Sequence, residues 1–365
     1  MKAIAFAKPM LLAATACAAF ASMVHAYFPL MCGGSRIGIT ANTNMVIEGC
    51  TIPPGSVEEG DVFAAVAAWN SLQGVTDRLT TSAGGTTCTV THGDGQNDII
   101  IAPRTAPLLN GSNGIAVYNG LVKMPATCDA TEWDVIIADS ALIAGASDEL
   151  DNSAAQRRGI IVHELGHVLG LGHETSGLPA IMAPNAGGAG TTYGPYGGRT
   201  ATGTYDAVQV NAPHADDTAF AYATHGDGTT SIDVAANAWH RNGNSLELAT
   251  VPTNTLQVCS GGTVTGVSWT WHNRGTDDVP TSDFAIVLSS DEIIDNTDTV
   301  VLTGTGKGGP GTAVTNTFDF PVDPSIPLGG YRVGVIVDQN QTLAESIESN
   351  NATRLPIFLT VRTCP

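Results

Sequence analysis

The run His163-Glu164-Leu165-Gly166-His167-Val168-Leu169-Gly170-Leu171-Gly172-His173 constrains this chain more than any other feature. On an α-helix, positions i and i+4 share a face, so His163 and His167 can point at one ion. Their imidazole nitrogens suit zinc. Glu164 stands beside them, placed to reach a water rather than the ion. His173 is too far along to share that straight face. Gly170 removes the obstacle, because glycine accepts the left-handed conformation that ends a helix and turns the chain back. Three protein ligands leave a fourth position open, which marks a catalytic zinc rather than a structural one. In such a site the ion activates a water and polarises a carbonyl, while Glu164 acts as general base. The bland alternative is a helix with incidental histidines. A bare His-Glu-x-x-His occurs by chance, but Gly170 and His173 at set offsets make the pattern far more demanding.

The flanking sequence agrees. Ser56 and Glu59 form a capping box, followed by Val62, Phe63, Val66 and Trp69 at helical spacing, with Gly74 as the stop. Ser153 and Gln156 form a second box ahead of Ile161, Leu165 and Val168. Strand-like runs are expected at 36–40, 44–47, 86–92, 98–102, 114–118 and 133–138, and a short helix at 217–224. Beyond 233 the pattern changes to alternation without helical periodicity, at 264–272, 284–289, 299–302, 315–320, 331–337 and 356–361. That predicts an all-β, immunoglobulin-like sandwich.

Residues 1–26 read as a signal peptide. Lys2 and Lys8 precede an apolar run, and Val24-His25-Ala26 fits a small-x-small cleavage site. The run is short for a membrane span, and no later stretch reads as one. Cys17 leaves with the leader, and six cysteines remain. An even number in an exported chain implies three disulfides. Chain order favours Cys32–Cys50, Cys88–Cys128 and Cys259–Cys364, although spacing alone does not decide the pairing. The formal charge is −19, and loss of Lys2 and Lys8 takes it to −21. Such a chain is a poor partner for nucleic acid or anionic lipid.

The pattern His-Glu-x-x-His-x-x-Gly-x-x-His, followed by Ile181-Met182-Ala183-Pro184, resembles the metzincin zinc peptidases with their methionine turn. The short step from His173 to Met182 is most similar to the matrixin branch. Pro184 stands where astacins and serralysins carry a tyrosine ligand, so no tyrosine ligand is expected. The resemblance implies one catalytic zinc on His163, His167 and His173, Glu164 as base, and Met182 as a supporting floor beneath the histidines. It implies a secreted zinc-dependent endopeptidase, hydrolysing peptide bonds in protein or peptide substrates by a zinc-activated water. His92 and Asp94 match only part of the structural zinc site of matrix metalloproteinases, so no second zinc is expected. Asp94, Asn97 and Asp98 are candidate Ca2+ ligands, with an ordinary Gly/Asp turn as the favoured alternative.

The tail resembles CARDB-type modules through Trp271-His272-Asn273-Arg274-Gly275, Leu288-Ser289-Ser290-Asp291 and 345–351. That resemblance implies attachment to a cell surface or substrate, with a plain stabilising spacer as the alternative. The expected organisation is a signal peptide at 1–26, an α+β metzincin-like domain at 27–227 with a twisted mixed sheet and an active-site helix, and the sandwich at 228–365. A monomer at or outside the cell surface is expected. The competing readings are an adhesion protein with a vestigial zinc domain and a processing enzyme of narrow specificity.

Overall fold

The computed structural model describes residues 30–32, 35–39, 42–72, 74–75, 79–84, 93–103, 105–109, 114–123, 127–139, 154–173, 181–182, 213–242, 245–248, 255–291, 293–348 and 350–364. The expected leader and the strand expected at 86–92 lie outside these residues. Among the described residues, no helix is long and apolar enough to cross a membrane.

The N-terminal half is built on one mixed sheet. Its strands are β1 (Met31–Cys32), β2 (Ser35–Gly38), β3 (Thr43–Ile47), β4 (Leu79–Ala83), β5 (Asp98–Ala102), β6 (Gly114–Lys123) and β7 (Thr127–Ala138). The order is β1-β2-β7-β5-β3-β4, with β6 on the opposite side of β7. Pairs β2–β7, β7–β5, β5–β3 and β3–β4 are parallel, whereas β6 runs antiparallel to β7. Alternation decides the two faces. Ile99, Val135 and Ile137 point into the main core, whereas Ile100, Ile136 and Ala138 form a smaller cluster with Leu109.

Two helices cover the main face, α1 (Val57–Asn70) and α2 (Ala154–Val168). α1 begins as its sequence predicts, with Ser56 Oγ accepting from Glu59 N at 3.2 Å. The Glu59 carboxylate accepts from Gly55 N at 2.6 Å, one residue earlier than a capping box would place it. The helix ends at Asn70, before the expected glycine stop. Val62, Ala65 and Trp69 of α1 pack with Ile161, Leu165 and Val168 of α2 in the main core. Trp69 Nε1 donates to Val162 O at 2.9 Å. Asp61 of α1, 1% exposed, accepts from Arg157 Nε at 2.7 Å and Arg158 Nη2 at 3.0 Å. A third helix, α3 (Ala215–His225), follows and is longer at both ends than expected.

The C-terminal half is a two-sheet sandwich. One sheet orders β11 (Thr255–Cys259), β17 (Ala352–Arg362), β16 (Gly329–Val337), β13 (Val279–Ser289) and β14 (Thr299–Gly308). The other orders β15 (Ala313–Pro321), β12 (Thr263–Asn273) and β8 (Val234–Asn237). A separate hairpin joins β9 (Trp239–Asn242) to β10 (Ser245–Leu248). Trp269 and Trp271 of β12 meet Phe284, Ile286, Val333 and Val335 from the facing sheet in one core. All six expected strands are present, each longer than the apolar run that announced it. Cys259 and Cys364 are bonded across a separation of 105 residues. In the chain-entropy account, a loop of that size is worth about 4–5 kcal/mol. Cys50 is also disulfide-bonded. The expected pairings Cys32–Cys50 and Cys88–Cys128 fall outside the described side chains.

One half-buried acid in the sandwich carries a pH signature. Glu345 accepts from Val234 N at 2.5 Å and Asn351 Nδ2 at 2.9 Å. Burial pushes its carboxyl up to about 8, against the lowering effect of those bonds. Burial also raises Asp233 nearby. The folded state therefore holds a proton that the unfolded chain releases near 4.5. The associated stability is full below that pH and is lost as pH rises through about 8. The thermal midpoint of the sandwich is expected to fall between pH 5 and pH 8.5, and Glu345→Gln is expected to flatten that fall. Equal slopes in both proteins would contradict this assignment.

Candidate metal centre

α2 carries His163 and His167 one turn apart on its sheathed face. The helix ends as Gly170 predicts. Gly170 has φ +93, its N–H reaches His167 O at 2.9 Å, and Leu171 N reaches Gly166 O at 3.0 Å. This pair of bonds closes a left-handed helix cap. The cap has a chemical consequence, because it folds Leu171 O onto His167 Nδ1 at 2.7 Å. The same turn delivers His173. Ligand atoms of His163, His167 and His173 all lie within 4.8 Å of one another. Ring centroids are 4.9, 5.2 and 4.8 Å apart. Among the described residues, no other group of three His, Cys, Asp or Glu side chains gathers in this way.

The donor set fits a cation. His163 Nδ1 lies 2.7 Å from Ile181 O, and His167 Nδ1 makes the matching contact to Leu171 O. A carbonyl accepts only, so each Nδ1 carries the hydrogen and each Nε2 keeps its lone pair for a metal. Burial depresses all three imidazoles, and repulsion from neighbouring rings adds to it for His163, which falls well below its usual range, and for His167, which falls to about 4. They are neutral at physiological pH, the state that ligates. Exposure rises along the triad, from buried His163 to exposed His173, so the group opens to solvent on one side.

Glu164 is 2% exposed and lies against β6, where the Ala116 backbone hydrogen-bonds its carboxyl. Burial pushes that carboxyl up to about 8. A neighbouring cation acts in the opposite direction. Met182 is also 2% exposed. A Cβ at Gly166 would collide with its Sδ and come within 3.0 Å of the Trp69 ring, so the methionine packs directly beneath the turn between His163 and His167.

Sequence reasoning missed what holds Met182 there. Asp217 of α3 accepts from Ile181 N at 2.7 Å, Met182 N at 3.2 Å and His214 N at 2.8 Å. Ile181 O then orients His163. Asp217 thus holds a ligand through one peptide unit. The acidic pair Asp216-Asp217 is visible at the helix start, but no sequence signal says that both are buried or that Asp217 meets Ile181 and Met182. The candidate Ca2+ residues are engaged otherwise. Asp94 Oδ1 accepts from Gln96 N, Asn97 Oδ1 from Trp133 N, and Asp98 Oδ1 from Gln96 Nε2. The Asp94 contact is that of an ordinary turn, whereas Asn97 ties the segment to β7.

No protein-family model matches the chain, and a search of curated proteins finds no match. Among solved structures, the CARDB domain of a Pyrococcus furiosus protein, in complex with di-metal ions, is 17% identical. The match covers 37% of this chain and 96% of that one, with a TM-score of 0.25. High choriolytic enzyme 1, a hatching-enzyme zinc-protease from the medaka fish Oryzias latipes, is 15% identical over 50% of this chain and 84% of that one, with a TM-score of 0.22. A family 123 glycoside hydrolase from Clostridium perfringens is 11% identical over 37% and 28%, with a TM-score of 0.22. These likenesses are slight, and the geometry of the three histidines stands without them.

Proposed function

We propose that the chain is a secreted zinc endopeptidase of metzincin type, in the matrixin-like branch, with a CARDB-type sandwich at its C-terminus. The observation that carries this reading is the three-histidine cluster, with two Nδ1 atoms tied to carbonyls and Glu164 buried alongside. His163, His167 and His173 would hold the zinc. When bound, zinc supplies Lewis acidity toward a water and toward the scissile carbonyl. The chain's own groups do the rest. Glu164 takes the water's proton on a carboxylate oxygen and returns it to the leaving amine. Its burial favours the protonated form, which suits that return. Ile181 O, Leu171 O and Asp217 hold the ligands in register.

The substrate side of the reading rests on β6. Among the described residues, no strand pairs with the edge of β6 away from β7. An extended peptide can add to such an edge through main-chain hydrogen bonds. That would bring its backbone beside Glu164. Export is supported by the Cys259–Cys364 bond, because disulfides persist in oxidising compartments. The sandwich would attach the enzyme to a cell surface or to its substrate, and the chain would act as a monomer. A digest of a peptide library by the purified mature chain tests the reading. Cleavage is expected, lost on chelation and restored by zinc. Cleavage that survives chelation, or none with zinc present, would count against it.

A further inference from the structure

The sandwich meets the other half of the chain at the start of α3. On β12 and β8, His272 stands opposite Ala235 and Thr270 opposite Asn237, so these four residues share one face. Their neighbours Trp269, Trp271 and Ala236 point the other way, into the sandwich core. The shared face is not solvent-exposed. His272 is 1% exposed, and Ala235, Asn237 and Thr270 are also buried. What meets it is His214, the residue that opens α3. Asn237 Nδ2 lies 3.4 Å from His214 Nδ1, and the His272 and His214 rings stand 5.4 Å apart. Neither ring nitrogen of His272 has a hydrogen-bond partner among the described residues. The imidazole therefore serves this joint as a flat packing surface. Burial depresses its pKa to about 3, which keeps it neutral there.

A second contact fixes the connection. Asp227 N donates to Gly74 O at 2.7 Å on the peptidase side. Ser231 N donates to Thr276 Oγ1 at 2.9 Å, and Ile232 bridges to Glu345, on the sandwich side. Only residues 228–230 lie between these anchors, so the connection is a short strap and not a free tether.

We propose that the sandwich is a working part of the metal centre. His272 and Asn237 are positioning residues that hold His214, and thereby the Asp217 carboxylate that suspends the Ile181–Met182 turn beneath the histidines. The path is an unbroken chain of contacts: Asn237 Nδ2 to His214, His214 N to Asp217, Asp217 to Ile181 N, and Ile181 O to His163 Nδ1. This inference rests on the metal-centre reading above.

The test measures zinc affinity on the full mature chain by chelator competition, for wild type, His272→Ala, His272→Phe, Asn237→Ala and Ala235→Trp. Near-ultraviolet dichroism from Trp269 and Trp271 establishes that each sandwich is folded. His272→Ala, Asn237→Ala and the wedge Ala235→Trp are expected to weaken zinc binding by about tenfold, the lower end for groups acting through a ligand. His272→Phe keeps the flat ring and is expected to retain wild-type affinity. A joint that only adds stability would lower the Tm and leave the affinity of the folded chain unchanged, and that result would overturn the proposal. Wild type that binds no zinc would sink the metal-centre reading itself, and this proposal with it. Wild type that binds zinc while every folded variant binds it equally well would sink the coupling alone.

Discussion

Replacing Glu164 with glutamine is expected to lower peptide hydrolysis by roughly 10²- to 10⁴-fold, the usual contribution of a positioned general base. The substitution suits the question because it changes little else. Glutamine has nearly the same volume, so the buried site against β6 stays filled. The amide can still accept from the Ala116 backbone, but it cannot take up a proton. Zinc content is expected to be unchanged, because Glu164 is not one of the three gathered ligands. The loss should appear in kcat, with KM close to wild type. Kinetics on any peptide that the wild type cleaves provide the measurement. Equal turnover by the two proteins at equal zinc occupancy would remove Glu164 from the mechanism.

Asp61→Ala is expected to destabilise the N-terminal half by about 3–5 kcal/mol, the cost of stranding a buried charge. Arg157 is 6% exposed, and its strongest partner is Asp61, at 2.5 Å from Nη2 and 2.7 Å from Nε. Without that carboxylate the guanidinium retains Glu58 at 3.7 Å, a weaker and wetter contact. Arg158 loses its partner as well. The effect is expected to extend to the three-histidine cluster, because the same α1–α2 seam positions the helix that carries His163 and His167. Urea denaturation reads the loss directly. The double variant Asp61→Leu, Arg157→Met should cost less than Asp61→Ala alone, since an apolar pair leaves less charge stranded. A loss under about 1 kcal/mol for Asp61→Ala would show that the pair is solvated in practice and contributes as surface pairs do.

The parts of this molecule that read well from sequence are local. The helix carrying His163 and His167, its end at Gly170 and the return of His173 are set by residues within eleven positions of one another. The cap at Ser56 belongs to the same class. Strands with strong alternation or continuous apolar runs, such as β5 and β16, were equally plain. What escaped depends on partners far along the chain. Asp217 meets Ile181 from 36 residues away, and Asp61 meets Arg157 from 96. Neither carboxylate differs in sequence from a solvated one. β8 has no clear sequence signal, because Ala-Ala-Asn has little β-propensity, and its place beside β12 comes from packing. The hairpin of β6 and β7 extends past its apolar runs, because Asn119 and Glu132 interrupt the apolar pattern while still pairing across the ladder. The joint between His214 and His272 had no sequence signal, since histidines on a strand or before a helix are usually exposed.

The claim under all of this is that three histidines hold one zinc. The direct measurement is metal content per chain, by elemental analysis of the mature protein purified without chelators, beside His167→Ala prepared the same way. One zinc per wild-type chain and little in the variant is the expected result. Wild type without stoichiometric zinc, or a variant that keeps it, would contradict the account.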